Sequence, residues 1–166
     1  IRLLCSLASA LTTVLLLACA VYSPLASSQD ESQPTYVTDS ASLLSREQTV
    51  EIDELLSRHN QIGFAQIRLV VVPRLPPNTT IEDYASALLQ ENLAAPKARL
   101  DSVLFVVAIE NRKLRIETSR AVSPVMSNEF CQQVIDNDVI PKFMQGEFFV
   151  GIKAGLVALV GRLTGA

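Results

Sequence analysis

Histidine is almost missing from this chain: His59 is the one instance in 166 residues. There is therefore no HxxxH or other paired-histidine signature, which argues against a histidine-based phosphatase. Cysteine is nearly as scarce. Of Cys5, Cys19 and Cys131, only Cys131 lies beyond the N-terminal apolar run. A lone cysteine cannot close an internal disulfide, so stability has to come from a packed core. Cys131 falls inside a helical pattern far from His59 and reads as a small buried apolar residue, not a nucleophile. Glycine-rich phosphate loops ahead of a helix are absent as well. So is any basic excess, since 14 Lys and Arg face 17 Asp and Glu for a net charge of −3. Removing the N-terminal run takes only Arg2 from that balance, which leaves 13 basic groups against 17 acidic ones, a net charge of −4. That excludes the electrostatic footprint of a nucleic-acid binder. No internal repeat is visible.

What is present begins with an apolar run from Leu3 to Val21 behind Arg2. Ala18-Cys19-Ala20 is a small-residue site of the kind signal peptidase accepts, so residues 1–28 read as a signal peptide. The run also approaches the ~20 residues of a membrane span, so an N-terminal anchor is the alternative. Leu16-Leu17-Ala18-Cys19 has the form of a lipobox in which Cys19 would be lipidated, with Leu17 a poor fit at its position. From Tyr22 to Thr35 the chain is rich in Ser, Pro, Gln, Asp and Glu and cannot bury a core, so residues 29–35 are a flexible leader. The folded domain is expected over 36–163.

Within it, Ser45-Arg46-Glu47-Gln48 has the form of a capping box, and Val50, Ile52, Leu55 and Leu56 make an apolar stripe. A first helix follows over 46–60, stopped by Gly63. Ile67 to Val72 is a β-branched run ended by Pro73, read as a buried strand. Asn78-Thr79-Thr80 matches a glycosylation sequon but is more simply a turn. Thr80 caps a second helix, with Asp83 in its first turn and Tyr84, Leu88 and Leu89 inward. Pro96 lies past its end. Val103 to Ile109 is apolar throughout, which requires both sheet faces to be covered. Lys113 to Glu117 alternates, so this strand has one wet face or lies near an edge, and it reads as a hairpin with the preceding run. A helix between two strands implies a parallel, right-handed crossover. A third helix is expected over 127–139, stopped by Ile140 and Pro141, and a last one over 148–163. Only eight residues separate Lys153 from Arg162, too few to cross a bilayer. The Gly151 and Gly155 pair is read as letting that helix press closely on the sheet. The fold class is α/β, a small mixed sheet sandwiched by about four helices.

Four stretches in this order resemble the TPM domain family: Tyr36–Ser45, Ile81–Ala85, Asp101–Ala108 with Arg112–Thr118, and Val139–Leu156. The resemblance covers 36–163. It implies an extracytoplasmic or membrane-facing protein. Plant members resemble acid phosphatases, bind calcium and take part in photosystem II repair, and an animal member modulates an acetylcholine receptor. The chain departs from the family in two places. Asp101-Ser102-Val103 stands where members carry Asp-Asn-Gly, and Ser119-Arg120-Ala121 stands where they carry a Gly-Tyr-Gly-like loop. With the hairpin turning about Asn111, residue 101 is expected opposite 121 and 122. Lost glycines remove the backbone conformations that allow close approach to a ligand.

Calcium takes six to eight oxygen ligands, several of them carboxylates. The candidates for such a metal site are Asp39 in the opening loop, Asp101 before the central strand and Glu117 near the end of its partner. The ordinary reading of all three is surface acids, with Asp39 closing a turn. Asp136 and Asp138 are two apart on a helix and point in different directions, so they form no paired site. Arg112, Lys113, Arg115 and Arg120 cluster near the hairpin as the available cations. The leading expectation is an interaction module in the periplasm, a lumen or the exterior, with a protein partner that is itself membrane-associated in some settings. This reading leans away from an enzyme. The first alternative is a weak calcium-associated, acid-phosphatase-like hydrolase using Asp39, Asp101 and Glu117. The second is an envelope protein anchored by lipid on Cys19.

Overall fold

The computed structural model describes residues 36–94 and 99–165. The signal peptide, leader, Cys19 and Pro96 readings fall outside the described residues. The domain is built from β1 (Val37–Asp39), α1 (Arg46–Ile62), β2 (Gln66–Val72), α2 (Ile81–Ala94), β3 (Ser102–Ala108) and β4 (Lys113–Thr118). There follow α3 (Asn128–Val134), a π turn (Ile135–Val139), α4 (Ile140–Met144) and α5 (Phe148–Thr164).

One sheet has the order β1-β2-β3-β4. β1, β2 and β3 are parallel, and β4 returns antiparallel to β3. The opening stretch is thus not all loop: Val37–Asp39 forms an edge strand, with Val37 level with Leu69. The continuous apolarity of β3 has the expected cause. Val103, Phe105 and Val107 face α1, α3 and α5, while Leu104, Val106 and Ala108 face α2. Helices α1 and α2 therefore lie on opposite faces although both crossovers step the same way along the sheet. The two crossovers consequently have opposite hands, and one of them departs from the right-handed rule.

Local signals account for most of the ends. Ser45 and Gln48 form the reciprocal capping box that starts α1. The stripe that buries in α1 is Ile52, Leu56, His59 and Asn60; Val50 is exposed, so the expected stripe is rotated. Two polar side chains finish that stripe because each finds a backbone partner. Asn60 bonds both the N–H and the C=O of Ile67, at 2.8 and 2.9 Å. Gly63 is needed for space and not for a left-handed cap, since its backbone is extended and a Cβ there would lie 2.5 Å from the His59 ring. In the Pro76–Thr79 turn, Asn78 takes a positive φ of 59°, as the third residue of a type II turn must. The Thr80 hydroxyl then accepts from Asp83 N to cap α2.

The third helix is longer than expected. Pro141 does not end it. The helix widens into the π turn just before the proline, where Ile140 N–H bonds Ile135 C=O, and Pro141 falls in the first turn of α4, where no amide is needed. The real stop is a Schellman motif at Gly146. Glu147 N–H reaches Lys142 C=O at 2.9 Å, Gly146 N–H reaches Phe143 C=O at 3.0 Å, and Gly146 has φ +78°. Phe143 and Phe148 then meet edge to face across the bend, with centroids 5.1 Å apart. Helix α5 folds back on the π turn as well as on the sheet. A Cβ at Gly151 would fall 2.8 Å from the Phe143 ring, and one at Gly155 would fall 2.8 Å from Val139 Cγ2 and 3.2 Å from Phe105. Among the described residues no helix is long and apolar enough to cross a membrane.

Candidate functional site

The parallel strands give the sheet two distinct ends, and the expected carboxylates are spread along its length. Asp39 is at the C-terminal end, paired in register with Val71 and through it with Val107. Asp101 precedes Ser102 at the opposite end. Six residues of β3 separate the two levels, about 20 Å of strand. Glu117 is level with Leu104, three residues of strand from each of those levels, so it lies midway along the sheet and not at the Asp101 end where it was expected. The register that pairs Val103 with Thr118 carries residue 101 to the level of Arg120, one residue short of the expected 121 and 122. The sheet thus holds the three carboxylates at three different levels, with Asp39 and Asp101 at opposite ends and Glu117 between them.

Each of the three already has partners. Asp39 accepts from Ala41 N–H at 3.0 Å and Leu44 N–H at 2.9 Å, which shapes the turn into α1. Glu117 is gripped by Arg115 at 2.8 Å. Asp101 pairs with Arg99 at 2.5 Å. Arg99 also donates to the carbonyls of Asn60, Gly63 and Phe64 at 3.1, 3.1 and 2.6 Å. That guanidinium ties the end of α1 to the start of β3, a role that sequence reading missed because its partners are backbone oxygens. Ser102 and Ser119, from the two stretches that differ from the family pattern, close the same corner. Ser119 Oγ accepts from Ser102 N–H at 3.0 Å, and Ser102 Oγ donates to Arg99 C=O at 2.8 Å. Among the described residues no group of three or more His, Cys, Asp or Glu side chains is gathered so as to hold a metal ion.

The potential nucleophiles are equally committed. Cys131 is buried, and that burial pushes its thiol up to about 11, so it stays protonated. His59 is 4% exposed, with Nε2 3.0 Å from Ala65 C=O. That carbonyl accepts, so Nε2 carries the proton. Nδ1 is buried and has no partner among the described residues, and desolvation lowers the ring's pKa below the ordinary histidine value.

The open feature lies at the other end, where β3 turns into β4. A cleft of about 1080 Å³ runs between the hairpin and the segment α3–π turn–α4. Leu114, Ile135, Ile140, Phe143 and Phe148 are part of its apolar lining, and Met144, 84% exposed, stands at its lip. Arg112, Lys113, Glu110 and Gln132 supply the polar rim. Three irregularities shape it: the π turn that places Ile135, the Schellman bend that sets Phe143 against Phe148, and the turn that holds Arg112 at φ +51°. π turns recur at functional sites. The sequence signals were present but dispersed. Apolar residues continue at helical spacing past Pro141, and the Glu110-Asn111-Arg112 turn has no glycine.

The model of the TPM domain family matches residues 37–162. No curated protein matches. Among solved structures, the chain is similar to the N-terminal domain of a protein from P. gingivalis, with 23% identity, TM-score 0.71, and 81% of this chain and 85% of that one covered. It is also similar to BA42 from the psychrophilic bacterium Bizionia argentinensis, with 22% identity, TM-score 0.61, and 74% and 82% covered. A third is the N-terminal domain of a Corynebacterium glutamicum protein, with 14% identity, TM-score 0.59, and 77% and 79% covered. At these identities the likeness concerns the fold alone.

Proposed function

Because this chain belongs to the TPM domain family, we propose that it works as an interaction module in an extracytoplasmic compartment, with the cleft at the hairpin end as its partner site. The observation that carries the reading is the contrast between the two ends of the sheet. At the Asp101 end Asp101 and Arg99 are spent on each other and on backbone carbonyls. At the hairpin end a large apolar cleft stands open with no serine, threonine, cysteine or histidine in its lining. The compartment follows from the N-terminal apolar run and its small-residue cleavage site.

A display selection on the full chain tests the cleft. Peptides drawn from a random library are expected to lose their binding when Gln132, an exposed helix residue on the cleft wall, is replaced by Trp to fill the space. They are expected to keep it when the distant Glu91 is replaced instead. Equal binding to both variants would remove the cleft from the reading. Saturable hydrolysis of p-nitrophenyl phosphate, lost in Asp101→Ala at unchanged fold, would replace it with the phosphatase.

A further inference from the structure

Granting that the cleft is a partner site, its rim says what kind of partner it fits. We propose that the occupant is an apolar peptide segment flanked by carboxylates, which Arg112 and Lys113 recognise while its apolar side chains lie on the floor formed by Leu114, Ile135, Ile140, Phe143 and Phe148.

Three observations converge on this. The first is size and shape. At about 1080 Å³ the cleft stands at the top of the usual range of small-molecule sites and has room for several residues of chain. The exposed thioether of Met144 at its lip adapts to varied apolar side chains. The second is charge. Glu110, the one acid in the lining, is held by Arg74 at 2.7 Å. Neither Arg112 nor Lys113 has an ion pair or a side-chain hydrogen bond among the described residues. The cleft therefore presents two uncompensated cations above an apolar floor, although the chain as a whole is acidic.

The third observation is backbone strain. The turn closes through Arg112 N–H to Ile109 C=O at 3.0 Å, and Arg112 sits in the left-handed region at φ +51°. Glycine or asparagine is the natural residue there. Asn111, next door, is occupied by accepting Leu75 N–H at 2.8 Å. The chain thus keeps a cation where the backbone favours glycine, and strain of this kind points to a use for the side chain. A purely protective role, in which charged residues guard the exposed edge of β4, predicts no ligand preference.

The experiment uses the full chain and three synthetic dodecapeptide pools. The pools share four central positions drawn from Leu, Ile, Phe and Met, and their flanks are Asp/Glu, Asn/Gln or Lys/Arg. Fluorescence anisotropy is expected to rank the acidic pool about tenfold tighter than the neutral one, the size two solvent-exposed charge pairs supply, with the basic pool weakest. The margin should shrink in 0.5 M salt, where the Debye length falls to a few ångströms. Arg112→Gly and Lys113→Gln should each erode it, and Arg112→Gly should do so without lowering the thermal midpoint. Equal affinity for the acidic and neutral pools, both abolished by Gln132→Trp, would overturn the acidic partner and leave the cleft reading in place. Binding of any pool that is indifferent to Gln132→Trp, or no binding at all, would overturn both.

Discussion

Single residues in this domain show that the same amino acid is required for different physical reasons. Gly146 has φ +78° and nothing within 4 Å of an added Cβ, so only its backbone freedom matters. Gly155 is helical, and its missing side chain lets Val139 and Phe105 approach. Gly146→Ala should cost about 1 kcal/mol, the left-handed penalty less the lower entropy of the unfolded alanine chain. Gly155→Ala should cost about 1–2 kcal/mol, an overpacking loss reduced by better helix propensity. Urea titration in a Val139→Ala background separates the two causes. Removing Cγ2 should soften the Gly155→Ala loss and leave that of Gly146→Ala intact, and equal behaviour of both would refute the steric account. His59 adds a pH term. Its folded-state pKa is depressed, chiefly by burial, so the unfolded chain binds the extra proton more readily. Stability from the neutral ring is complete above the unfolded value of about 6.5 and is lost as pH falls below it, with a slope of at most about 1.4 kcal/mol per pH unit. Between pH 7 and pH 5 the urea midpoint should fall in the parent and stay nearly flat in His59→Gln; parallel curves would rule the ring out.

At the level of elements, what was legible in the sequence was whatever is written locally. The capping box of α1, the Thr80 cap of α2, alternation in β4 and the all-apolar β3 each encode their own structure within a few residues, so α1, α2, the hairpin and the two-sided sheet were expected where they stand. The misses came where tertiary packing overrides a local rule. Pro141 reads as a stop because a regular helix would set its ring against the carbonyl four residues back. The helix survives because one wide turn, buried through Ile135 and Val139 against α5, absorbs the mismatch. The β1 strand was hidden for the opposite reason. Three residues carry almost no pattern, and Val37–Asp39 is a strand only because β2 offers it a partner edge. The acidic set was visible as residues and not as a place, since nothing local says that Asp39 and Asp101 belong to opposite ends of a parallel sheet. The cleft was invisible as a whole because its lining is drawn from β3, the hairpin, α3, the π turn, α4 and α5.

Across the whole molecule the consequence is a division between an end that holds the fold together and an end left open. Arg99 carries the first. Arg99→Ala would leave three carbonyls and Asp101 without their donor. Because the guanidinium is about one-third exposed, water can serve part of that set, and the loss should be about 1–2 kcal/mol rather than the full burial penalty. Asp101→Ala should lose part of the same energy, so a change in calcium uptake or hydrolysis by that variant speaks for chemistry only when its thermal midpoint is held alongside. Arg112 carries the second end and should behave in the reverse sense. Replacing it with glycine relieves the left-handed penalty and restores freedom to the unfolded chain, and the two nearly cancel, leaving stability unchanged or up by about 0.5 kcal/mol. The two sites are separated by the length of β3, more than about 20 Å, and share no partner. Their stability effects should therefore add to within about 0.5 kcal/mol in the double variant. The folded fraction of Arg99→Ala should bind the acidic peptide pool as the parent does, while Arg112→Gly, fully folded, should not. Loss of peptide binding in Arg99→Ala at a temperature where it remains folded would show that the ends are coupled, and that the clasp at Asp101 helps to set the shape of the cleft.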